Sequence, residues 1–316
     1  MTIFQDAQSA QGFVLEQGRN VEVQVYRKRY PTYNYADIVP VVTEGNAWAI
    51  GTQFFTVDTT GVAKVISGAA NDLPFVSATQ DTGSHDFWMI GAGWEWTMEE
   101  INQASLYRTN LTATKPIEAS DSVERLLYNT AMTGETLKNA TGFVNASGVT
   151  ATDVAASGSG SSKFWTAKTG DLMVDDVNDL LSTVRESTGE VEYADTIALP
   201  PAAFRLLATT RVDTDKNKSA LTLLQESNIY TAETGQPLRI VQCRALTTAS
   251  GDSGGRMVAY RFDPEVVRFH LPMPKTVLTP RQKGLMAWES GVIARTGGVE
   301  VRLPGAMAYG DEILAP

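Results

Sequence analysis

The chain has 316 residues, of which 43% are hydrophobic, enough to bury a sizeable core in about two domains or in one body with extensions. Its net charge of −10 argues against tight nucleic-acid binding, because an acidic surface is repelled by the phosphate backbone. The single Cys243 excludes an internal disulfide and a zinc site built on several thiols, and no stretch approaches the ~18 apolar residues of a membrane span.

The N-terminus, MTIFQDAQSAQGFVLEQ, has no basic start followed by an apolar run, so no signal peptide is expected and a reducing compartment is the expected place of synthesis. Val21, Val23 and Val25 alternate with Glu22, Gln24 and Tyr26, the period of a half-buried strand. The surrounding residues are too polar for a local core. The first 45 residues therefore read as an arm rather than a domain, with Phe4, Phe13, Val14 and Leu15 as candidates for docking on a partner. The run Arg27-Lys28-Arg29 reads as a solvated face, a pair for a neighbour's carboxylates, or a contact to phosphate.

Residues 50–96 hold four strand-like segments, TQFFTVD, GVAKVIS, LPFVSAT and DFWMIGAGWEW. As one long hairpin with arms of ~15 residues at ~3.3 Å each, they would reach ~50 Å. A body of this length has a radius of gyration of only ~20 Å, so such a hairpin would project. Phe54, Phe55, Phe75, Phe87 and Trp88 are candidates for burial against a neighbour, with packing in their own subunit as the alternative.

Helical patterns follow. Thr97 and Glu100 form a capping box before MEEINQASLYR, predicting a helix over 98–108. Pro116 fits the first position of a helix over 116–132, whose stripe is Ile117, Val123, Leu126, Leu127 and Ala131, with Gly134 as its stop. Residues 146–162 read as a low-complexity linker. Met173, Val177, Leu180, Leu181 and Val184 predict a helix over 171–187, with Asp175, Asp176 and Asp179 on its solvated side. A buried strand at 195–199 precedes Pro200 and Pro201, which launch a short helix, and SALTLLQES predicts another. From 237 the chain is strand-rich. The fold class is α+β.

The motif Gly251-Asp252-Ser253-Gly254-Gly255 is shared with a class of serine proteases, and Ser253 would need a base within reach. His85 and His270 are the two histidines. His85 lies in DTGSHDFW, without the flanks of that class. His270 follows Ser253 and reads as a half-buried strand residue. A flexible hairpin tip between PLRIVQCRAL and RMVAYRF accounts for the motif instead. GSGSSK (158–163) and GAGWEW (91–96) lack phosphate-loop and dinucleotide spacing. Asn139 and Asn145 match glycosylation acceptors, which is uninformative without secretion. No catalytic, cofactor or metal site is expected.

Five collinear blocks carry a more specific signal: PVVTEGNAWA (40–49), WTMEEINQA (96–104), DTIALPPAAFRLLATTRV (195–212), RMVAYRFDPEVVRFHLPMP (256–274) and IARTGGVEVRLPGAMAYGD (293–311). With them the chain resembles the major capsid proteins of tailed bacteriophages, which have the HK97-like fold. The resemblance implies an N-terminal arm at 1–49 and an extended β-hairpin loop at 50–93 that lies over an adjacent subunit. It implies a peripheral domain with a spine helix at 94–164 and 271–303, and an axial domain at 165–270 and 304–316. Pro116 would shorten the spine helix. The implied function is a shell of pentamers and hexamers around double-stranded DNA, in the virion and made in the host bacterial cytoplasm. A portal protein, and scaffolding and decoration proteins, would be its other partners, with no membrane. Inter-subunit contacts would fall on Phe4, Phe13, Val21, Val23, Val25, Arg27, Arg29, Phe54, Phe55, Phe75, Phe87 and Trp88. The arm follows Met1 at once, so a separate scaffolding protein, or none, is expected, and no crosslink at Lys64 is expected. An encapsulin-type compartment is the alternative, and a hydrolase using Ser253 a distant third.

Overall fold

The computed structural model describes residues 33–43, 45–61, 77–107, 111–213, 217–250 and 254–315. The strand expected at Val21, Val23 and Val25, the basic residues Arg27 to Arg29, the candidates Phe4, Phe13, Val14, Leu15, Lys64 and Phe75, and Ser253 lie outside the described residues.

The described chain begins with a one-turn helix α1 (Tyr35–Ile38) and a short strand β1 (Val41–Val42). This end of the expected arm is core. Ile38 and Val39 are fully buried, the Tyr35 ring packs on Phe269 at 5.3 Å, and the Tyr260 hydroxyl donates to the Ile38 carbonyl. A parallel partner for β1 fixes it in place, the strand β11 (Val267–His270).

Strands β2 (Gly51–Thr60) and β3 (Ser77–Asp86) pair antiparallel over their whole length, with no third strand among the described residues. GVAKVIS falls almost wholly outside the described residues. The fourth segment is not part of this hairpin. At Phe87 the chain turns away, and β4 (Trp88–Thr97) pairs residue for residue with β14 (Ala287–Thr296) in a body sheet. Long-range pairing of this kind leaves no trace in the local alternation.

The expected capping box opens α2 (Met98–Tyr107): the Glu100 amide donates to Thr97 Oγ1, and the Thr97 amide to the Glu100 carboxylate. The next helix, α3, runs Leu111–Thr133 with Pro116 inside it, so the proline neither starts nor shortens it. An interior proline removes one ladder bond, but here the cost falls in the second turn, near the free end. Lys115 ties that turn down by donating to the Glu95 carbonyl at 2.8 Å and to the Glu100 carboxylate at 2.9 Å. Val123, Leu127 and Ala131 are buried as expected, whereas Ile117 and Leu126 are exposed. Gly134, with φ of +82°, ends the helix, and a Cβ there would sit 2.0 Å from the Ala140 carbonyl. It opens the small pair β5 (Gly134–Glu135) and β6 (Ala140–Thr141).

The expected linker at 146–162 contains a strand, β7 (Thr150–Asp153), parallel to β16 (Met307–Asp311). A sequence of Thr, Ala and Asp carries no apolar pattern because this is an edge strand, exposed at all four residues. Helix α4 (Gly170–Ser187) buries Met173, Val177, Leu180, Leu181 and Val184 as the spacing predicts. Pro201 at the first turn launches α5 (Pro201–Thr209). Ser219 and Asn228 cap α6 (Ala220–Glu226) and α7 (Ile229–Thr234) through their side chains.

Strands β8 (Thr196–Leu199), β9 (Arg239–Gln242) and β10 (Arg256–Tyr260) complete a five-stranded sheet in the order β7-β16-β10-β8-β9. This sheet divides two hydrophobic cores. Ala198, Val258, Tyr260, Met307 and Tyr309 face the core under α3, while Ile197, Leu199, Met257, Ala259 and Ala308 face the core under α4. The two-residue period of a strand sends alternate side chains to opposite faces, so each strand serves both cores. The remaining strands, β12 (Met273–Val277), β13 (Arg281–Gln282) and β15 (Gly298–Val301), join β14 and β11.

Two buried polar groups depart from the expected pattern. Asp176 is buried rather than solvated. It accepts from Lys168 Nζ at 2.6 Å and from Trp165 Nε1–H at 2.8 Å, with the Lys168 side chain itself fully enclosed. Asp175 and Asp179 do face solvent. Burial pushes the Asp176 carboxyl up, against the pull of Lys168 and the indole. His270, expected half-buried, is almost wholly buried and donates through Nε2–H to Glu300 at 2.6 Å. Burial alone would raise the Glu300 carboxyl, but the hydrogen bonds and charges of His270 and Arg302 outweigh it and hold it at about 2. Burial holds the His270 imidazole below its usual range, more strongly than Glu300 raises it.

Two predictions follow from these pairs. Lys168→Met leaves an uncompensated buried carboxylate and lowers subunit stability by about 3–5 kcal/mol in urea unfolding, and adding Asp176→Leu recovers most of the loss. Acid acts through the second pair with one sign. Both groups prefer their deprotonated forms in the folded chain. Stability therefore falls as pH drops below about 6.5, where unfolded histidine takes its proton. It falls again from the ordinary carboxyl value of 4.5 towards about 2. In urea midpoints measured against pH, Glu300→Gln flattens the lower step and deepens the upper one, because His270 loses the carboxylate that favours its proton.

Candidate assembly surfaces

The hairpin β2–β3 has two free edges and no second layer within the described subunit. An isolated two-stranded hairpin is marginal in water, so its own pairing is weak support for a fixed shape. Phe54 is committed internally. Its ring covers Gly83, the residue directly opposite, so closely that a Cβ there would lie 2.3 Å from it, and the Arg302 guanidinium lies over it at 4.4 Å. Phe55, on the opposite face of the strand, is 61% exposed.

The root of the hairpin is aromatic. Phe87 packs on the His270 ring at 5.4 Å and against Gly297, where a Cβ would lie 2.6 Å from it. Trp88 packs on the core under α3. His85 Nε2–H donates to the Gly297 carbonyl at 2.6 Å, and its ring lies 5.1 Å from that of His270. Nearby, Arg295 donates to the Ala47 carbonyl at 3.2 Å. Of the four described aromatic candidates, Phe54, Phe87 and Trp88 are thus used within the subunit, and Phe55 is presented outward.

Sequence reasoning missed three further exposed surfaces. Trp48 and Ile50, just before the hairpin, are 63% and 82% exposed. Leu285 and Met286 form an apolar turn tip, with Leu285 93% exposed, beside Met98 of α2, whose amide donates to the Met286 carbonyl. An apolar pair beside Gly284, in a turn that polar residues would suit, was a legible signal. The outer face of the β4–β14 pair carries a trough of about 780 Å³ floored by Gly91, Gly93 and Gly291 and walled by Leu278 and Ile293. Its rim is a charge network in which Lys283 pairs with Glu95 and Glu289, and Arg281 with Glu289. That trough arises from the register of two strands distant in sequence, which no local pattern displays.

The chemical inventory is sparse. Both histidines have their Nε2 atoms occupied, by Gly297 and by Glu300. Cys243 is buried, and burial pushes its thiol up to about 11, away from reactivity. Among the described residues no group of His, Cys, Asp or Glu has metal-binding geometry, and no helix is long and apolar enough to cross a membrane. Lys163, in GSGSSK, pairs with Asp153 and Glu312 rather than facing an open loop.

Comparison with known proteins places this architecture. The capsid protein of Myoviridae phage XM1 aligns over 94% of this chain and 98% of its own, with 16% identity and a TM-score of 0.79. The capsid of an empty GTA particle aligns over 97% and 98%, with 13% identity and a TM-score of 0.59. The corresponding values for Gordonia phage Cozz are 94% and 91%, 17% and 0.58. These likenesses establish the fold as the HK97-like fold of phage capsid proteins. Among curated proteins, none matches the chain. The model of the major capsid protein family matches residues 61–313. With most of its length inside that match, the chain belongs to the major capsid protein family.

Proposed function

We propose that this chain self-assembles into pentamers and hexamers of an icosahedral shell enclosing the double-stranded DNA of a tailed phage. The observation that carries the reading is the contrast between a body with two closed cores and a two-stranded hairpin that, among the described residues, has free edges and an outward Phe55. Such a hairpin gains a fixed shape only when another surface covers it. In this reading 1–49 is the arm, 50–93 the extended loop, 94–164 with 271–303 the peripheral domain, and 165–270 with 304–316 the axial domain. The other candidate contacts, from Phe4 to Arg29 and at Phe75, belong to the arm and loop.

A net charge of −10 suits an inner wall that must not bind packaged DNA, and it makes subunits repel one another. Assembly then rests on apolar and main-chain contacts, in interfaces of about 2,000 Å² or more. A portal protein, and scaffolding and decoration proteins, complete the partners, and the subunit is made in the host cytoplasm. The chain acts as a structural protein without enzymatic activity. The family match favours this reading over an encapsulin-type compartment.

Electron microscopy and mass photometry of the protein expressed alone are expected to show closed shells or discrete pentamers and hexamers. A monomer that persists at high concentration, with or without a co-expressed scaffold, contradicts the proposal. Phe55→Asp is expected to change subunit stability by less than about 0.5 kcal/mol, since it alters an exposed position. The same change sharply reduces the assembled fraction. A fluorophosphonate probe is expected to leave Ser253 unlabelled, and site-specific labelling would overturn the non-enzymatic reading.

A further inference from the structure

The chain has two histidines, and the fold stacks them across the joint between hairpin and body. His85 lies near the end of β3, on the hairpin, and His270 ends β11, in the body. Their ring centroids are 5.1 Å apart at an interplanar angle of 31°. The Gly297 carbonyl and the Glu300 carboxylate can only accept, so each ring carries its proton on Nε2. A further proton goes to Nδ1 and makes the ring a cation. We propose that this histidine pair is a proton-operated latch at the root of the hairpin: protonation charges the two stacked rings, parts His85 from His270 and Gly297, and frees the hairpin to change its angle while β2 and β3 stay paired.

The surroundings decide the sign. Among the described residues the charged groups facing the pair are Glu300 from β15, Arg302 just after it, and Arg268 from the strand of His270 itself. Arg295 lies at the same root, bound to the Ala47 carbonyl. Asp86 follows His85 in the strand and points to the opposite face. Glu300 already answers His270 and Arg302, and among the described residues no second carboxylate pairs with the two rings to take up added charge. Two imidazolium rings at this spacing repel.

The geometry also explains why the joint can move. Among the described residues the hairpin has no third strand, and its contacts with the body include His85 on Gly297, Phe87 on His270, and Phe54 under Arg302. Two of these three contacts include a histidine ring. Opening them uncovers the Gly297 amide, which donates to the His270 carbonyl, and the Gly298 amide, which donates to Thr296 Oγ1.

The test is hydrogen exchange, read by mass spectrometry on the full chain at about pH 7.5 and about pH 5, on either side of the ordinary imidazole range. Rates are corrected for the intrinsic effect of pH. Peptides covering Ser84–Trp88 and Thr296–Val299 are expected to gain about tenfold in exchange at the lower pH, the scale of a local opening. Peptides from Gly170–Ser187 keep their protection. His85→Gln keeps a donor for the Gly297 carbonyl without a titrating ring, and it abolishes the gain. His85→Phe keeps a stacked ring without the proton and does the same, which covers a failure of the first variant to fold. The proposal is overturned if the wild type shows no gain, if either folded variant gains as much, or if the helix peptides open in parallel.

Discussion

The alternation of side chains along β8, β10 and β16 is the constraint on which both halves of the subunit depend. Residues one apart along these strands belong to different hydrophobic cores: Val258 and Tyr260 lie under α3, Met257 and Ala259 under α4. A slip of one residue in the register of β10 would exchange the two sets, placing Tyr260 where Ala259 now fits. The register is held by more than the ladder. Arg256 makes two hydrogen bonds to Asp311 on the neighbouring strand and a third to the Val144 carbonyl. The Tyr309 hydroxyl donates to the Phe143 carbonyl and accepts from the Ala146 amide, so the strand is tied to the segment that follows α3. Polar groups at the rim of the sheet thus determine which apolar group goes to which core.

From this rigid centre the structure becomes progressively less self-sufficient. Among the described residues the β4–β14 sheet is covered by α3 on one face and uncovered on the other, where glycines leave a trough. The hairpin has no covering sheet or helix among the described residues. Stability measured on the isolated subunit would therefore report mainly on the two cores, and the hairpin would draw its own stability from whatever it meets. That division accords with membership of the major capsid protein family.

What was legible in the residues followed physical range. The capping box at Thr97 and Glu100, the five-residue stripe of α4 and the proline start of α5 are local devices, written within one or two turns of chain. Where a local rule failed, a distant contact had overridden it. Pro116 sits inside α3 because Lys115 anchors that turn to Glu95 and Glu100. Asp176 lies buried because Lys168 and Trp165 arrive from the preceding segment to satisfy it. The pattern of α4 alone places a polar residue on a polar face, and nothing within the helix reveals that a lysine will be enclosed beside it.

The sequence by itself determined helices α2, α4, α5 and α6, most of the candidate strands and, through five collinear blocks, the family. These are properties of adjacent residues or of their order. Only the tertiary structure decided that β4 leaves the hairpin for β14, that the supposed linker supplies an edge strand, that Phe54 turns inward onto Gly83 while Phe55 faces out, and that His85 meets His270. Each of these depends on strand pairing between segments far apart in the chain. A two-residue period states that a strand has two faces, but not which partner lies beside it, and that choice is made by the packing of the whole.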